Sequence, residues 1–206
     1  MKTCFKFYKV VTLDDKNYCE EAINMQQIHM TNYIKEGKVN DVCEGYYLHD
    51  NSIEQSYIDK LRCAKQSYLI GCASKRMRNS YMWKKFANNG KGICLAFTCV
   101  DEHTKHYNMR YIDDLPTLER KMFDKLSLDK QVQYVLSHKR RQYMEEEYER
   151  EEEIRFLKKS GDDDYMSIAI STIDLGWNMC VEDRHHWIDV AKKQSIIVIN
   201  LHKTIL

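Results

Sequence analysis

A single proline, Pro116, stands in 206 residues, where average usage of about 5% would place roughly 10. Only 7 glycines accompany it. Proline ends helices by removing a donor and clashing with the preceding turn. Glycine supplies the positive φ that sharp turns need. A chain this poor in both has few enforced breaks, so long helices are expected to be common.

Strands are signalled by alternation and by apolar runs. Phe5 to Val11 alternates and is aromatic and β-branched. Gln27 to Thr31, Ser67 to Ala73, Asn108 to Ile112, Ile154 to Leu157 and Ser167 to Leu175 read as further strands. Ile93 to Val100 gives the strongest strand signal, and Ser195 to Leu201 reads as a buried one. Helical spacing covers Asn17 to Met25, Ser52 to Leu61, Met82 to Ala87 and Glu182 to Lys193. Residues 32–50 and Asn88 to Gly92 are loop and turn by composition. After Pro116, residues 117–150 read as helix almost throughout, with a break near Ser127 to Asp129, where Ser and Asp favour caps. Strands and helices do not alternate regularly. The expectation is therefore α+β: one domain over residues 1–206, with a mixed β-sheet and a long helical insertion at 117–150.

Lys+Arg 32 against Asp+Glu 31 leaves a net charge of +1, and 43% of residues are hydrophobic. That describes a globular protein and excludes a strongly basic nucleic-acid binder. A local basic concentration remains: Lys75, Arg76, Arg78, Lys84, Lys85 and Lys91. It reads either as ordinary surface or as a surface for nucleic acid or another anion. No apolar stretch approaches the ~20 residues that span a bilayer. The N-terminus lacks a signal-like apolar core, so no membrane and a cytoplasmic location are expected. The 8 cysteines are scattered without a CxxC pair or zinc spacing, so free thiols and no metal are expected. His103 with His106 and His185 with His186 lack local partners and read as solvated or hydrogen-bonded.

Tyr143 to Glu153 holds seven glutamates and one arginine. A solvated helix face is one reading, and Lys139, Arg140 and Arg141 would then pair with it at helical i,i+4 spacing. If the end of this run is a strand, Glu151 and Glu153 share a face and Glu152 points away. Two like charges raise each other's pKa, and Arg155 on the same face could hold one ionised. Such a pair suits general-base work, or orientation of a ribose hydroxyl beside an oxocarbenium-like centre. This strand reading makes Glu153 an exposed catalytic carboxylate with little role in folding and Glu152 an inert control. Asn40, Asp41 and Glu44 form a compact polar cluster that is either an Asx turn or a substrate-facing loop. Trp83 with Phe86 and Ala87 has helical core spacing. Asn88 to Gly92 is only a weak phosphate-cradle signal.

Four motifs follow in order: Phe7-Tyr8-Lys9; Asn40-Asp41-Val42-Cys43-Glu44; Met82 to Phe97, with its Trp83, Ala87 and glycine-rich turn; and Tyr148 to Leu157. This order resembles the bacterial family called domain of unknown function 2971, over roughly Phe5 to Leu201. Val42-Cys43, Phe86 and Tyr148 stand where that family has Pro-Phe, Tyr and Trp. The arrangement is also similar to the NAD-using ADP-ribosyltransferase fold. That likeness implies NAD as substrate, Lys9 in the place of the first-strand His or Arg, Ser74 on a middle strand, and Glu151 or Glu153 as the catalytic acid. Tyr8, Asn40, Asp41, Glu44, Trp83 and Arg155 complete the implied binding set. The implied activity is nucleotide-dependent ADP-ribosyl transfer, as in bacterial or phage-defence effectors or toxins. The other function carried forward is a non-enzymatic module that binds nucleic acid or protein through residues 75–91.

Overall fold

The computed structural model describes residues 2–32, 47–141, 147–161 and 163–199. In chain order the elements are β1 (Cys4–Tyr8), α1 (Leu13–Met25), β2 (Gln27–His29), β3 (Thr31–Asn32), β4 (Leu48–His49), α2 (Gln55–Gln66) and β5 (Tyr68–Ser74). Then come α3 (Ser80–Phe86), β6 (Ile93–Cys99), β7 (Lys105–Asn108), β8 (Arg110–Ile112), β9 (Thr117–Leu118), α4 (Arg120–Lys125) and α5 (Leu128–Leu136). The chain continues through β10 (His138–Arg140), a 3-10 turn (Tyr148–Glu151), β11 (Glu153–Lys159), β12 (Tyr165–Leu175), α6 (Val181–Lys193) and β13 (Ile197–Ile199). The fold class is α+β, in one domain.

The main sheet runs β13-β12-β6-β1-β5-β11-β7. Its pairs are antiparallel except the parallel β12–β13, which makes it mixed. β2 pairs with β12, and β3, which follows almost at once, pairs with β5. The stretch 27–32 therefore bridges two strands that lie apart in the sheet and closes it over its concave side. Enclosed there are Cys4, Ile28, Met30, Leu69, Phe97, Phe156, Met166 and Ile168. Met30 is fully buried and packs at Gly71, where a Cβ would meet it at 3.6 Å.

On the same face, further along the strands, α1 and α6 cover Tyr8, Ile93, Leu95, Ile173 and Leu175 with Trp187 and Ile23. α1 begins with a reciprocal cap: Thr12 accepts from the Asp15 amide, and the Asp15 carboxylate accepts from the Thr12 amide. The opposite face carries Phe7 and Cys94 under Trp83 and Met82 of α3. Farther along it, Leu157 packs with Leu61 of α2 and Val132 and Val135 of α5.

Three sequence expectations change. Among the described residues the longest helices, α1 and α6, have 13 residues. Scarcity of proline permits long helices but does not produce them; caps and strand pairing set the lengths. Among the described residues of 117–150, helix is confined to α4, α5 and the short 3-10 turn. Thr117–Leu118 pairs with β4 and His138–Arg140 with β8, so tertiary pairing overrides local propensity. The final apolar run forms an edge strand with Ile197 63% exposed, because an apolar run does not say whether both of its sides are covered. Residues 200 and 201 of that run lie outside the described residues.

The turn Asn88–Gly92 is packed rather than open. Asn88, Asn89 and Gly90 all have positive φ. The Gly92 amide donates to the Ala87 carbonyl, and the Gly90 carbonyl accepts from the Asn178 amide. A Cβ at Gly92 would run into the Tyr8 carbonyl, whereas one at Gly161 meets nothing within 4 Å. Gly92→Ala is therefore expected to cost about 2 kcal/mol or more, in the range of overpacking, while Gly161→Ala is nearly neutral. Urea unfolding of the two variants checks this; equal stability would contradict the packed turn.

Candidate functional site

The face opposite the enclosed core holds a row of five alternating charges. Arg155 lies at its deep end, with its side chain 1% exposed. Its Nε donates to Glu153 Oε1 at 2.8 Å, and Nη1 donates to the Leu136 carbonyl at 2.9 Å, at the end of α5. Glu153 Oε2 lies 3.4 Å from Lys139 Nζ, and Lys139 Nζ donates to Glu151 Oε2 at 3.2 Å. Glu151 Oε1 lies 3.4 Å from Lys85 Nζ. The ring of Tyr148 floors the middle of the row, with Lys139 Nζ 4.3 Å from its centroid.

Strand pairing positions this row. Glu153 sits opposite Ser74, and Arg155 opposite Cys72. Lys139 sits opposite Tyr111 in the small parallel pair, and the Tyr111 hydroxyl accepts from the Glu153 amide at 2.8 Å. Burial opposes ionisation of Glu153, but Arg155 and Lys139 beside it outweigh that and hold its carboxyl well below the usual range. Burial is also the largest influence on Glu151, and there it prevails over Lys139, leaving the carboxyl raised. The two acids are therefore pushed apart by their surroundings, not raised together. Burial, with Glu153 next, pushes the Cys72 thiol up to about 12, so Cys72 is no ready thiolate.

Glu151 and Glu153 do converge, though not by strand alternation. Glu151 ends the 3-10 turn, Glu152 takes a left-handed conformation at φ 48°, and β11 begins at Glu153. That left-handed residue turns the Glu152 side chain outward to Arg76, 3.0 Å away. Glu153 is buried, contrary to the exposed position expected from sequence. Lys139 reaches glutamates 12 and 14 residues away from a strand, not four away on a helix.

Beside the row lies a cavity of about 440 Å³. Its cations are Arg76, Arg78, Arg141 and Arg150; its carboxylates are Glu147, Glu149 and Glu152; Tyr81, Asn79 and Ser80 complete it. The Arg150 guanidinium lies 5.0 Å from the Tyr81 ring centroid. Asn79 ties the cavity to α3, accepting from the Met82 amide and donating to the Arg150 carbonyl. Arg78 is exposed and pairs with no carboxylate among the described residues.

The other predicted residues scatter. Ser74 is buried beside Glu153, and its hydroxyl accepts from the Arg76 amide at 3.4 Å. Tyr8 is buried in the core under α1 and α6. Lys9 is exposed past the end of β1; Lys6 is the β1 cation that reaches this region, donating to the Cys72 carbonyl at 3.0 Å. Trp83 is core, edge-on to Phe7 at 5.3 Å and donating to the Met77 carbonyl. Asn40, Asp41, Glu44 and Cys43 lie outside the described residues, as does the 143–146 part of the acidic run. Sequence reasoning paired Lys139 and Arg141 with the acidic run, though at helical spacing, and gave no site role to Arg150 or to Tyr111, whose partner Glu153 lies 42 residues away.

The seven described cysteines are free thiols. Among the described residues no group of three or more His, Cys, Asp or Glu is placed to hold a metal, and no helix is long and apolar enough to cross a membrane. Comparison with protein families, with curated proteins and with solved structures finds no match. The likeness to domain of unknown function 2971 and to the ADP-ribosyltransferases thus rests on the motifs quoted above.

Removing one partner of a buried ion pair strands the other. Glu153→Gln is expected to destabilise the protein by about 3 kcal/mol at neutral pH, and Glu152→Gln by under about 0.5 kcal/mol. A depressed carboxyl stabilises the fold above its unfolded pKa, and that stability is lost as pH falls through the folded value. The gap between wild type and Glu153→Gln should therefore narrow from pH 7 toward pH 3. Urea titrations at both pH values measure it; equal stability at pH 7 would contradict the buried row.

Proposed function

We propose that this chain is a nucleotide-dependent enzyme of the ADP-ribosyl-transfer type, with NAD as substrate in the arginine-lined cavity. The observation that carries the reading is the presence of Arg78, Arg76, Tyr81 and Glu152 in one cavity. Guanidinium groups suit phosphate because their paired donors match its oxygens. An aromatic ring beside a cation suits a base or nicotinamide face. The cavity volume is in the range of small-molecule sites. In this reading Arg76 and Arg78 hold the pyrophosphate and Tyr81 stacks on a ring.

The transfer chemistry needs a carboxylate to stabilise positive charge developing at an anomeric carbon. Glu152 lines the cavity, paired with the exposed Arg76, whereas Glu151 and Glu153 are buried against Lys139. Glu152 is therefore the acid assigned to the reaction, and Glu151, Glu153 and Arg155 are positioning residues that hold its turn. The proposed setting is cytosolic, as a bacterial defence or toxin effector.

One observation favours a second reading. The acids first singled out are occupied in ion pairs, while Arg78 stays exposed beside Arg76. A non-enzymatic module binding single-stranded nucleic acid through the basic 75–91 region would use the same arginines without any acid.

Calorimetric titration with NAD, paired with an assay of nicotinamide release, separates the two. Glu152→Gln should lower release at least ~100-fold with little change in binding, and Arg78→Ala should weaken NAD binding about tenfold. Absence of NAD binding and of nicotinamide release would overturn the enzyme. Salt-sensitive binding of single-stranded RNA or DNA that is lost in Arg78→Ala would install the second reading.

A further inference from the structure

Two of the cavity's four arginines are held by glutamates of the segment that forms its wall. Arg141 Nη1 bonds Glu149 Oε2 while its Nε donates to Asp113, which does not line the cavity, at 3.1 Å, and Arg150 Nη1 lies 3.4 Å from Glu147 Oε2. A third, Arg76, bonds Glu152. Each glutamate therefore occupies a place that a ligand's phosphate oxygen would take. The three cavity glutamates come from residues 147–152, a single turn.

We propose that Glu147 and Glu149 are resident counter-anions that set the ligand class of this cavity: a molecule carrying two or more linked phosphates. The inference rests on the anion-binding reading of the cavity given above. The argument is one of exchange. A bound phosphate must displace a tethered carboxylate, which is present at high effective concentration. The pairs are about half exposed, with side chains 46–55% accessible, so each displacement costs little but not nothing. A lone phosphate meets that cost and the full loss of translational freedom with one set of contacts. Linked phosphates share a single translational cost over several arginines. Arg78, which pairs with no carboxylate among the described residues, is the first point of contact.

The consequence is a gain on mutation, which misfolding does not imitate. Calorimetric titrations with inorganic phosphate and inorganic pyrophosphate are made on wild type, on Glu147→Gln/Glu149→Gln, and on Arg78→Ala. Wild type should bind pyrophosphate more tightly than phosphate. The double glutamine variant should bind pyrophosphate about fivefold more tightly than wild type and phosphate about twofold more tightly, from two released pairs against one. Arg78→Ala should weaken both. If wild type binds pyrophosphate, Arg78→Ala weakens it and the double variant leaves it unchanged or weaker, the counter-anion role is wrong while the cavity reading stands. If neither wild type nor the double variant binds either anion saturably, both fall. Binding seen only in the double variant supports the counter-anion role.

Discussion

An ammonium group with almost no access to water must be balanced by carboxylates close enough to replace its hydration. Lys139, with its side chain 7% exposed, is balanced by two, Glu151 and Glu153. Those residues stand two apart in sequence across the end of a 3-10 turn and the start of a strand. Both side chains reach one point because Glu152 between them adopts a left-handed conformation. That placement turns Glu152 outward, into the cavity wall beside Arg76. The same demand passes inward: Glu153 is balanced in turn by Arg155, which also satisfies a carbonyl at the end of α5. A buried cation on a short strand thus determines the backbone of the turn, the anchoring of a helix and the direction of the Glu152 side chain.

The rest of the fold supplies a rigid support for that turn. The bridge made by residues 27–32 closes the sheet over an apolar interior, so β5 is held on the side away from the row by Met30 and Phe156. Both strands that frame the row, β5 and β11, are thereby fixed by packing on one face and by charge on the other. The cavity sits where this support ends, at the Ser74 end of β5, in the loop residues that follow it. Rigid strands presenting variable loops is a common way to place binding groups.

Much of the fold was legible in sequence because it is written in local patterns. Ile93 to Cys99 alternates little and is apolar except for Thr98, and it proves to be a central strand between β1 and β12. Asn17 to Met25 has helical spacing, and the helix proves to start at Leu13, behind the Thr12 cap. The segment 117–150 was less legible: Lys139 carries no local mark of burial, and its glutamate partners are set by the pairing of β10 with β8. The acidic run showed that Glu151, Glu153 and Arg155 belong together and that Glu152 points away from them, but strand periodicity did not show that Glu152 would line a cavity beside Arg76. No spacing rule foresees a left-handed glutamate. Tyr8, placed in the implied binding set, proves to be packing, and so does Trp83, as its helical core spacing indicated.

The central claim is that Lys139 organises the turn that presents Glu152 to the cavity. Amide hydrogen exchange of Lys139→Met, at a temperature where it remains folded, addresses that claim directly. The account predicts faster exchange at the amides of residues 148–153 and at Lys75, whose amide donates to the Glu152 carbonyl, with β6 and β12 as protected as in wild type. Unchanged protection across residues 148–153 would contradict it.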